Sequence, residues 1–528
     1  IVNQDTYKGV YPNYSKKHKG FIPRMVGTSP TNIHYYKSIT NIPQNSTRRP
    51  TFSENIHFMM SYQFGYMYGR YFMWNFVGRQ NDEQGHLDIH NGNWLSGIPI
   101  VDNQILGPQS DLPTEVKTNQ ARNTYFFLPL ILGLFGLFFQ LKKDANNFYI
   151  LLLFFAFTGL AILFYTNPKP FEPRERDYAV VGSFYVFAIW IGLGVSALFG
   201  YFKEKIQSKS LAIGITLLTL LSVPVLMGFQ NWDDHNRANK YTAHLNAQAY
   251  LESCDPNAIL FTIGDNDTFP LWYLQEVENV RTDIKTVNTS LFATDWYIDQ
   301  MKRKSYEADP IPSQLNHEEY KYGSLDVAYH FPDSTIVQDS TMYIKDFMNW
   351  IQSDKDITYY EIEDGKKLKT YPAHILRLPV NKEAVLRTGL VAANEADQIV
   401  PFIDIRIDEY GITKNRIMML DILANFNWER PIYFTGGSYD DEEYIWLKDY
   451  LQMDGLTYKL VPILTPYTGS PFEMGRINPD KMYKNIQKWN WGTITEGIYL
   501  DSETRKNSVN FRNALVRLSN ALDKKGDT

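Results

Sequence analysis

Four long apolar runs without a single lysine, arginine, aspartate or glutamate constrain the fold of this chain more than any other feature. A membrane-spanning helix needs about 20 apolar residues, and about 17 to 25 are tolerated. Charge-free segments of that length suit the hydrocarbon interior of a bilayer. Burial of all four in a water-soluble core is the competing interpretation, and the short links between the runs count against it. The sequence therefore predicts four membrane-spanning helices, over residues 125–141, 148–165, 180–202 and 211–229.

Lysines in two of the links predict how these helices are oriented. Lys142 and Lys143 separate the first two runs, and Lys203, Lys205 and Lys209 separate the last two. Because lysine and arginine accumulate on the cytoplasmic side of membrane proteins, we expect both links to face the cytoplasm. The rest of the chain then lies outside. The link between the second and third runs is also basic, but its prolines and acidic residues indicate a functional loop.

A helical stretch crowded with aromatic residues precedes the spans, over residues 57–77, and Arg70 interrupts it. Aromatic rings with polar tips favour the boundary between membrane and water. We therefore expect an interfacial or re-entrant helix, with a fifth spanning helix as the alternative. Gly65 and Gly69 have the spacing that permits close contact with another helix.

After Gln230 the pattern changes to strands that alternate with helices. Such alternation favours a mainly parallel sheet flanked by helices, and hence a soluble α/β domain beside a membrane helical bundle. One helix is expected around residues 233–251, and residues 305–408 read as an insertion with short strands. The predicted strands cover residues 258–263, 284–288, 373–378, 398–405, 431–435 and 458–463.

These patterns divide the chain into four parts. Residues 1–123 are expected to form an extracytoplasmic loop region, residues 124–229 the membrane helices, and residues 230–505 the α/β domain. Residues 506–528 begin a helical, repeat-like region, with leucines on one helical stripe. The net charge of −6 and the absence of a basic cluster exclude nucleic acid as a partner.

The loop at residues 167–178, N-P-K-P-F-E-P-R-E-R-D-Y, is the most informative short segment. Its prolines stiffen it, and it places Arg174 and Arg176 directly before a predicted span. The planar guanidinium group binds phosphate oxygens in a bidentate manner, so a phosphate-binding role is expected for them, with Lys169 and Arg70 as further candidates. A salt-bridged surface loop is the alternative.

A second candidate site follows the first predicted strand, at residues 264–270, G-D-N-D-T-F-P. Ligands of parallel α/β sheets collect at the carboxyl ends of strands. Asp265, Asn266 and Asp267 are therefore candidates for binding a sugar or an acceptor, and Asp295 is expected to line the same cleft. One of the two aspartates is expected to cap the following helix. No cofactor is predicted, although the pair Asp265 and Asp267 is a candidate for a divalent cation.

Three strings carry a resemblance: S-Y-Q-F-G-Y-M-Y-G-R-Y-F-M-W-N-F-V-G-R-Q-N-D at residues 61–82, P-K-P-F-E-P-R-E-R-D-Y-A-V-V-G-S-F-Y at residues 168–185, and G-D-N-D-T-F-P-L-W-Y-L-Q at residues 264–275. They resemble a large family of Bacteroidota membrane proteins, described as a domain of unknown function. That family is similar to the eukaryotic transmembrane protein O-mannosyltransferases, which have a GT-C-like membrane domain.

The resemblance implies a membrane glycosyltransferase that moves a sugar, with mannose as a candidate, from a polyprenyl-phosphate carrier to serine or threonine of exported proteins. It also implies the bacterial inner membrane as the location, with the soluble domain in the periplasm. Family members carry an acidic D-C-G-E loop that this chain lacks, since Cys254 stands in S-C-D-P. We therefore expect the chain to be an N-terminally truncated fragment without its catalytic base. A non-catalytic scaffold whose periplasmic domain binds envelope proteins is the alternative.

Overall fold

A computed structural model describes two compact units, Ile1–Ala238 with Tyr499–Glu503, and Asn239–Ile498 with Thr504–Thr528. The first unit contains the apolar helices and the second contains the α/β sheet. The structure describes residues 22, 25–172, 174–206, 210–330, 341–362, 365, 367–436, 440–491 and 498–526. Lys209, used above for orientation, lies outside these residues.

Three helices of the described residues are long and apolar enough to cross a membrane, one fewer than predicted. They are α2 (Ala145–Thr166), α3 (Asp177–Lys203) and α4 (Leu211–His235). The first predicted span is instead the helix α1 (Leu128–Lys143), which has only 16 residues. At about 1.5 Å per residue it is roughly 24 Å long, short of the hydrocarbon core of about 30 Å.

Helix α1 packs closely against α3 through glycine. Gly133 and Gly136 lie against α3, where a Cβ atom on Gly136 would overlap the backbone of Trp190 and Gly194. The indole nitrogen of Trp190 also donates a hydrogen bond to Oε1 of Gln140 at 2.7 Å. The absence of a Cβ atom at these glycines therefore lets the two helix backbones approach closely.

The predicted aromatic helix is continuous over residues 52–76, as two α-helical segments with a π-helical segment between them. It is not among the helices apolar enough to span a membrane. Gly65 and Gly69 meet only carbonyls of their own helix, so they form no close contact with another one. The segments are Phe52–Phe58, Met59–Arg70 and Tyr71–Phe76, and the other helices of this unit are Pro30–Ile39, Pro99–Leu106 and Thr114–Lys117. Gly78–Arg79 pairs antiparallel with Asn123–Thr124.

The second unit is built on a six-stranded sheet. Its strands are β1 (Ile259–Thr262), β2 (Lys285–Asn288), β3 (Ile432–Phe434), β4 (Leu451–Met453), β5 (Tyr458–Leu460) and β6 (Arg476–Ile477), in the order β6-β4-β5-β3-β1-β2. Strands β3, β1 and β2 pair in parallel, and β4 pairs in parallel with β6. Strand β5 is antiparallel to both of its neighbours, so the sheet is mixed and the expected mainly parallel sheet is confirmed only in part.

Two smaller mixed sheets and several helices complete this unit. The predicted helix over residues 233–251 is wrong as one element, because α4 ends at His235 and the next helix begins at Thr242. The smaller sheets contain Thr341–Tyr343, Ile375–Pro379 and Phe402–Arg406, and Val327–His330, Tyr359–Glu361, Lys367–Tyr371 and Gly411–Thr413. The helices are Thr242–Glu252, Asp265–Glu276, Asp295–Met301, His317–Tyr320, Ile344–Gln352, Lys382–Arg387, Lys414–Asn425, Pro479–Ile486 and Ser508–Lys525. The short helix Ser502–Lys506 contains residues of both units.

The helix Ser508–Lys525 belongs to the core of the second unit. Ala514 and Leu518 are buried among the core residues, and Phe511 and Leu522 pack against them. Leu515, which the leucine stripe placed on the same side, is 39% exposed. The buried face is therefore shifted by one residue from the predicted stripe.

Candidate functional site

The proline-rich loop between α2 and α3 lies against the aromatic helix. Asn167 adopts a left-handed conformation with φ of 41°, which ends α2 at Thr166. The amide of Gln63 then donates a hydrogen bond to the Asn167 side chain at 2.9 Å. Further along the loop, the backbone N–H of Phe171 donates to the hydroxyl of Tyr62 at 3.0 Å. These contacts fix both ends of the segment that carries Lys169.

Arg70, predicted as a phosphate ligand, is the centre of this packing. Its side chain is only 6% exposed, and its guanidinium forms an ion pair with the carboxylate of Glu175. It also donates to the backbone carbonyl of Gly92 and lies over the ring of Tyr66, 4.6 Å from the ring centroid. Arg70 therefore positions the loop, and its charge is balanced by Glu175.

Arg176 is also paired, but at the surface. Its guanidinium donates to the carboxylate of Glu172 and to the hydroxyl of Tyr178, both at 2.9 Å. These hydrogen bonds raise the pKa of Arg176 above its ordinary value. The alternative of a salt-bridged loop thus describes Arg176 well.

Lys169 and Arg174 differ from these two arginines. Both side chains are exposed, and no other described residue forms a hydrogen bond or an ion pair with either. A phosphate that reaches this loop therefore meets two cations whose charge no carboxylate neutralises. Arginine supplies a planar pair of donors, and lysine supplies a compact point charge.

All four predicted cations line one cavity of about 410 Å³. Its other charged residues are Glu172 and Glu175, so its lining has two more positive than negative side chains. Aromatic and aliphatic side chains form most of the remaining wall, and its uncharged polar members are Gln84, Thr166 and Asn167. Burial raises the pKa of Tyr62 in this wall to about 12, so its phenol stays neutral. The cavity thus combines surplus positive charge with an apolar wall, at the first turn of α3.

The residues of the second predicted site, at 264–270, have different environments in the structure: one aspartate caps a helix and its neighbours are exposed. The carboxylate of Asp267 accepts hydrogen bonds from the backbone N–H groups of Ile263 and Gly264, both at 2.9 Å, and from the Thr435 hydroxyl at 2.7 Å. One aspartate therefore caps the helix, as predicted. Asp265 and Asn266 are exposed on its first turn.

Asp295 is partly buried at the start of another helix. Its carboxylate accepts a hydrogen bond from the backbone N–H of Trp296 at 2.7 Å and one from Tyr322 at 3.2 Å. Among the residues that the structure describes, no group of three or more histidine, cysteine, aspartate or glutamate side chains is arranged to hold a metal ion. The role of these residues in binding a sugar or an acceptor stays a prediction.

Sequence reasoning missed the residues that hold the first site together. The sequence indicates Glu175 only as one charge of the loop, and Tyr62 only as one of many aromatic residues of its helix. The sequence of the loop contains one signal for ion pairing: each arginine in R-E-R has a glutamate one or four residues away. The contact between Glu175 and Arg70 spans 105 residues, so no local pattern indicates it.

Two segments of the chain match known families. Residues 243–481 match the model of TMEM260-associated domain 2. Residues 2–60 match a family of unknown function, DUF8416. No curated protein and no solved structure matches the chain.

The TMEM260-associated domain comprises most of the second unit. It contains the string at residues 264–275 that carried part of the resemblance, whereas the strings at residues 61–82 and 168–185 lie outside both matches. The aspartate cap and the six-stranded sheet therefore lie in the segment that matches the model of TMEM260-associated domain 2. The cationic cavity belongs to residues that neither family model covers.

Proposed function

We propose that the chain belongs to a membrane glycosyltransferase that moves a sugar from a polyprenyl-phosphate carrier to serine or threonine of exported proteins, with mannose as the candidate sugar. The cavity with two surplus positive charges at the first turn of α3 carries this proposal. TMEM260, whose associated domain matches residues 243–481, is an O-mannosyltransferase-like protein, which favours the same activity.

In this proposal, Lys169 and Arg174 bind the carrier phosphate. Negative charge grows on that phosphate as the sugar leaves it, and cations already in place stabilise the transition state. Arg70 and Arg176 act as positioning residues, because they hold the loop through Glu175 and Glu172. The aromatic and aliphatic wall contacts the first isoprene units of the carrier. The acceptor hydroxyl needs a general base, and we assign that role to no residue of this chain.

The placement of lysines supports an orientation in the bacterial inner membrane. Lys142 and Lys143 end α1, Lys203 ends α3, and Lys205 lies in the link after α3, which favours a cytoplasmic location for these ends. The loop at the other ends and the TMEM260-associated domain then face the periplasm. There, Asp265, Asn266 and Asp295 are candidates for contacting the exported acceptor protein.

The glycoproteome of cells tests the proposal. We expect loss of O-linked sugar from exported proteins when the gene is deleted, and a similar loss when it carries Lys169→Ala with Arg174→Ala. The matched control changes two exposed lysines of the second unit, Lys355→Ala with Lys382→Ala, and should retain glycosylation. Unchanged glycan profiles after deletion would instead favour a non-catalytic scaffold that binds envelope proteins.

A further inference from the structure

The second unit contains a separate cavity of about 430 Å³ that is lined by aromatic rings. The rings of Phe269 and Trp272 stack with centroids 5.3 Å apart, while Trp296 and Tyr306 are 55% and 54% exposed. Exposed rings around a concave surface are typical of ligand-binding sites. This cavity does not include Asp265, Asn266, Asp267 or Asp295 in its lining.

Tyr306 is held firmly at this cavity. Its backbone has φ of 51°, a left-handed conformation that bulky residues rarely adopt. Its hydroxyl donates a hydrogen bond to the Oε2 atom of Glu276 at 2.5 Å. Strained residues of this kind cluster at functional sites, where the surrounding structure maintains them. The ring of Tyr306 is therefore part of a preorganised wall.

Lys285 of the edge strand β2 also lines the cavity, and it is only 2% exposed. Its ammonium donates to the carbonyl of Arg303 at 2.7 Å and to the hydroxyl of Ser305 at 2.8 Å. An ammonium has three N–H donors, so one is left over. Among the described residues, no carboxylate forms an ion pair with it.

Burial of this cation without a counter-ion is unfavourable. A buried charge without an ion-pair partner loses its hydration and is not compensated. Burial and the nearby Arg430 guanidinium lower the pKa of Lys285 to about 8, and the Asp309 carboxylate offsets this only in part. A ligand that brings a negative group to the spare N–H donor would remove this penalty.

We propose that this cavity binds a saccharide that carries an acidic group, with a sugar ring against Trp296 and the acidic group hydrogen-bonded to Lys285. A pyranose ring presents C–H groups on its face, and these suit the negative face of an aromatic ring. Its hydroxyl groups suit the polar side chains of Thr282 and Gln300 in the cavity lining. An acidic peptide would also bring a carboxylate to Lys285, but it lacks the sugar ring that packs against the aromatic side chains. The proposal is independent of sugar transfer by the membrane helices.

Isothermal titration calorimetry of the purified chain in detergent tests this site. The probes are trigalacturonic acid, the neutral galactotriose and triglutamate. We expect trigalacturonic acid to bind at least tenfold more tightly than either of the other two. Trp296→Ala should weaken its binding at least tenfold, and Lys285→Met should abolish the preference for the acidic trisaccharide. The controls Tyr322→Ala and Lys484→Met, which change exposed residues outside the cavity, should bind it normally.

Three results would overturn the proposal. Equal affinity for the two trisaccharides would exclude recognition of the acidic group, and triglutamate that binds as tightly as trigalacturonic acid would identify an acidic polypeptide as the ligand. Binding of none of the three probes would exclude the site. The comparison of probes uses the unaltered chain, so it decides the question even if Lys285→Met fails to fold.

Discussion

The guanidinium of Arg70 on the aromatic helix and the carboxylate of Glu175 before α3 form an ion pair in which neither side chain is more than 18% exposed. The amide of Gln84 donates a further hydrogen bond to the same carboxylate at 3.0 Å. This pair joins the aromatic helix to the loop that carries Lys169 and Arg174. The position of the two exposed cations in the cavity therefore depends on a contact between distant parts of the sequence.

Removal of the Glu175 carboxylate should destabilise the first unit. In Glu175→Ala, the buried guanidinium of Arg70 loses its counter-ion, and we expect the free energy of unfolding to fall by about 3–5 kcal/mol. The matched control is Glu172→Ala, because its partner Arg176 is 50% exposed and such surface pairs contribute at most about 1 kcal/mol. Chemical denaturation of the chain in detergent measures both. Equal losses in the two variants would contradict the structural role of Glu175.

The contact between α1 and α3 should depend on Gly136. In Gly136→Ala, the added methyl group overlaps the backbone of α3, and overpacking of this kind reduces stability by about 1–3 kcal/mol. Gly192→Ala on α3 is the control, since an added Cβ there meets no atom within 4 Å. Thermal unfolding followed by circular dichroism should separate the two variants. A Gly136→Ala protein as stable as the Gly192→Ala protein would show that the helices do not pack as described.

The two aspartates of the G-D-N-D string should differ in their effect on stability. Asp267→Ala removes the carboxylate that accepts hydrogen bonds from the N–H groups of Ile263 and Gly264 and from the Thr435 hydroxyl. We therefore expect the free energy of unfolding to fall by about 1–2 kcal/mol. Asp265→Ala changes an exposed residue and should alter stability by no more than about 0.5 kcal/mol. Urea denaturation measures the difference. A larger loss of stability in Asp265→Ala than in Asp267→Ala would contradict the assignment of the helix cap to Asp267.

Asp255 should make the stability of the second unit depend on pH. Burial raises the pKa of its carboxyl, but the ammonium groups of Lys459 and Lys481 outweigh this effect and lower the pKa to about 2, from an ordinary value of 3.8. The lowered pKa stabilises the fold above pH 4, and this contribution, about 2 kcal/mol, is lost as the pH falls from about 4 to about 2.

The variant Asp255→Asn isolates this effect. The stability difference between the unaltered chain and the variant should be constant from pH 7 to pH 5 and should shrink between pH 4 and pH 3. Urea denaturation at each pH provides the comparison. A difference that does not change over this range would mean that Asp255 is not held in its charged form by the two lysines.

The apolar patterns of the sequence located elements better than they located their ends. All six predicted strands overlap strands of the structure, because buried strands read as short apolar runs bounded by turn residues. The first predicted span is a shorter helix than expected for a local reason: Phe126 and Phe127 have φ of 55° and 58°, so the helix starts only at Leu128. Composition treats these phenylalanines as part of the helix and contains no information about their backbone conformation.

The antiparallel part of the sheet was missed although a signal was present. Strands β4 and β5 are joined through Asp454 and Gly455, a pair that favours a tight hairpin turn. For the candidate site, the sequence identified the cations that line the cavity. It did not distinguish Arg70 and Arg176, which are paired with carboxylates, from Lys169 and Arg174, since pairing depends on tertiary contacts.

Direct binding of a carrier lipid tests the central claim. The chain is placed in lipid nanodiscs, and its affinity for a polyprenyl monophosphate is compared with that for the same polyprenyl alcohol without phosphate. We predict at least tenfold tighter binding of the phosphate. This difference should be lost in the variant Lys169→Ala with Arg174→Ala but not in the control Lys355→Ala with Lys382→Ala, which changes exposed lysines outside the cavity. Equal affinity for phosphate and alcohol, or an unchanged preference in the first variant, would contradict the account.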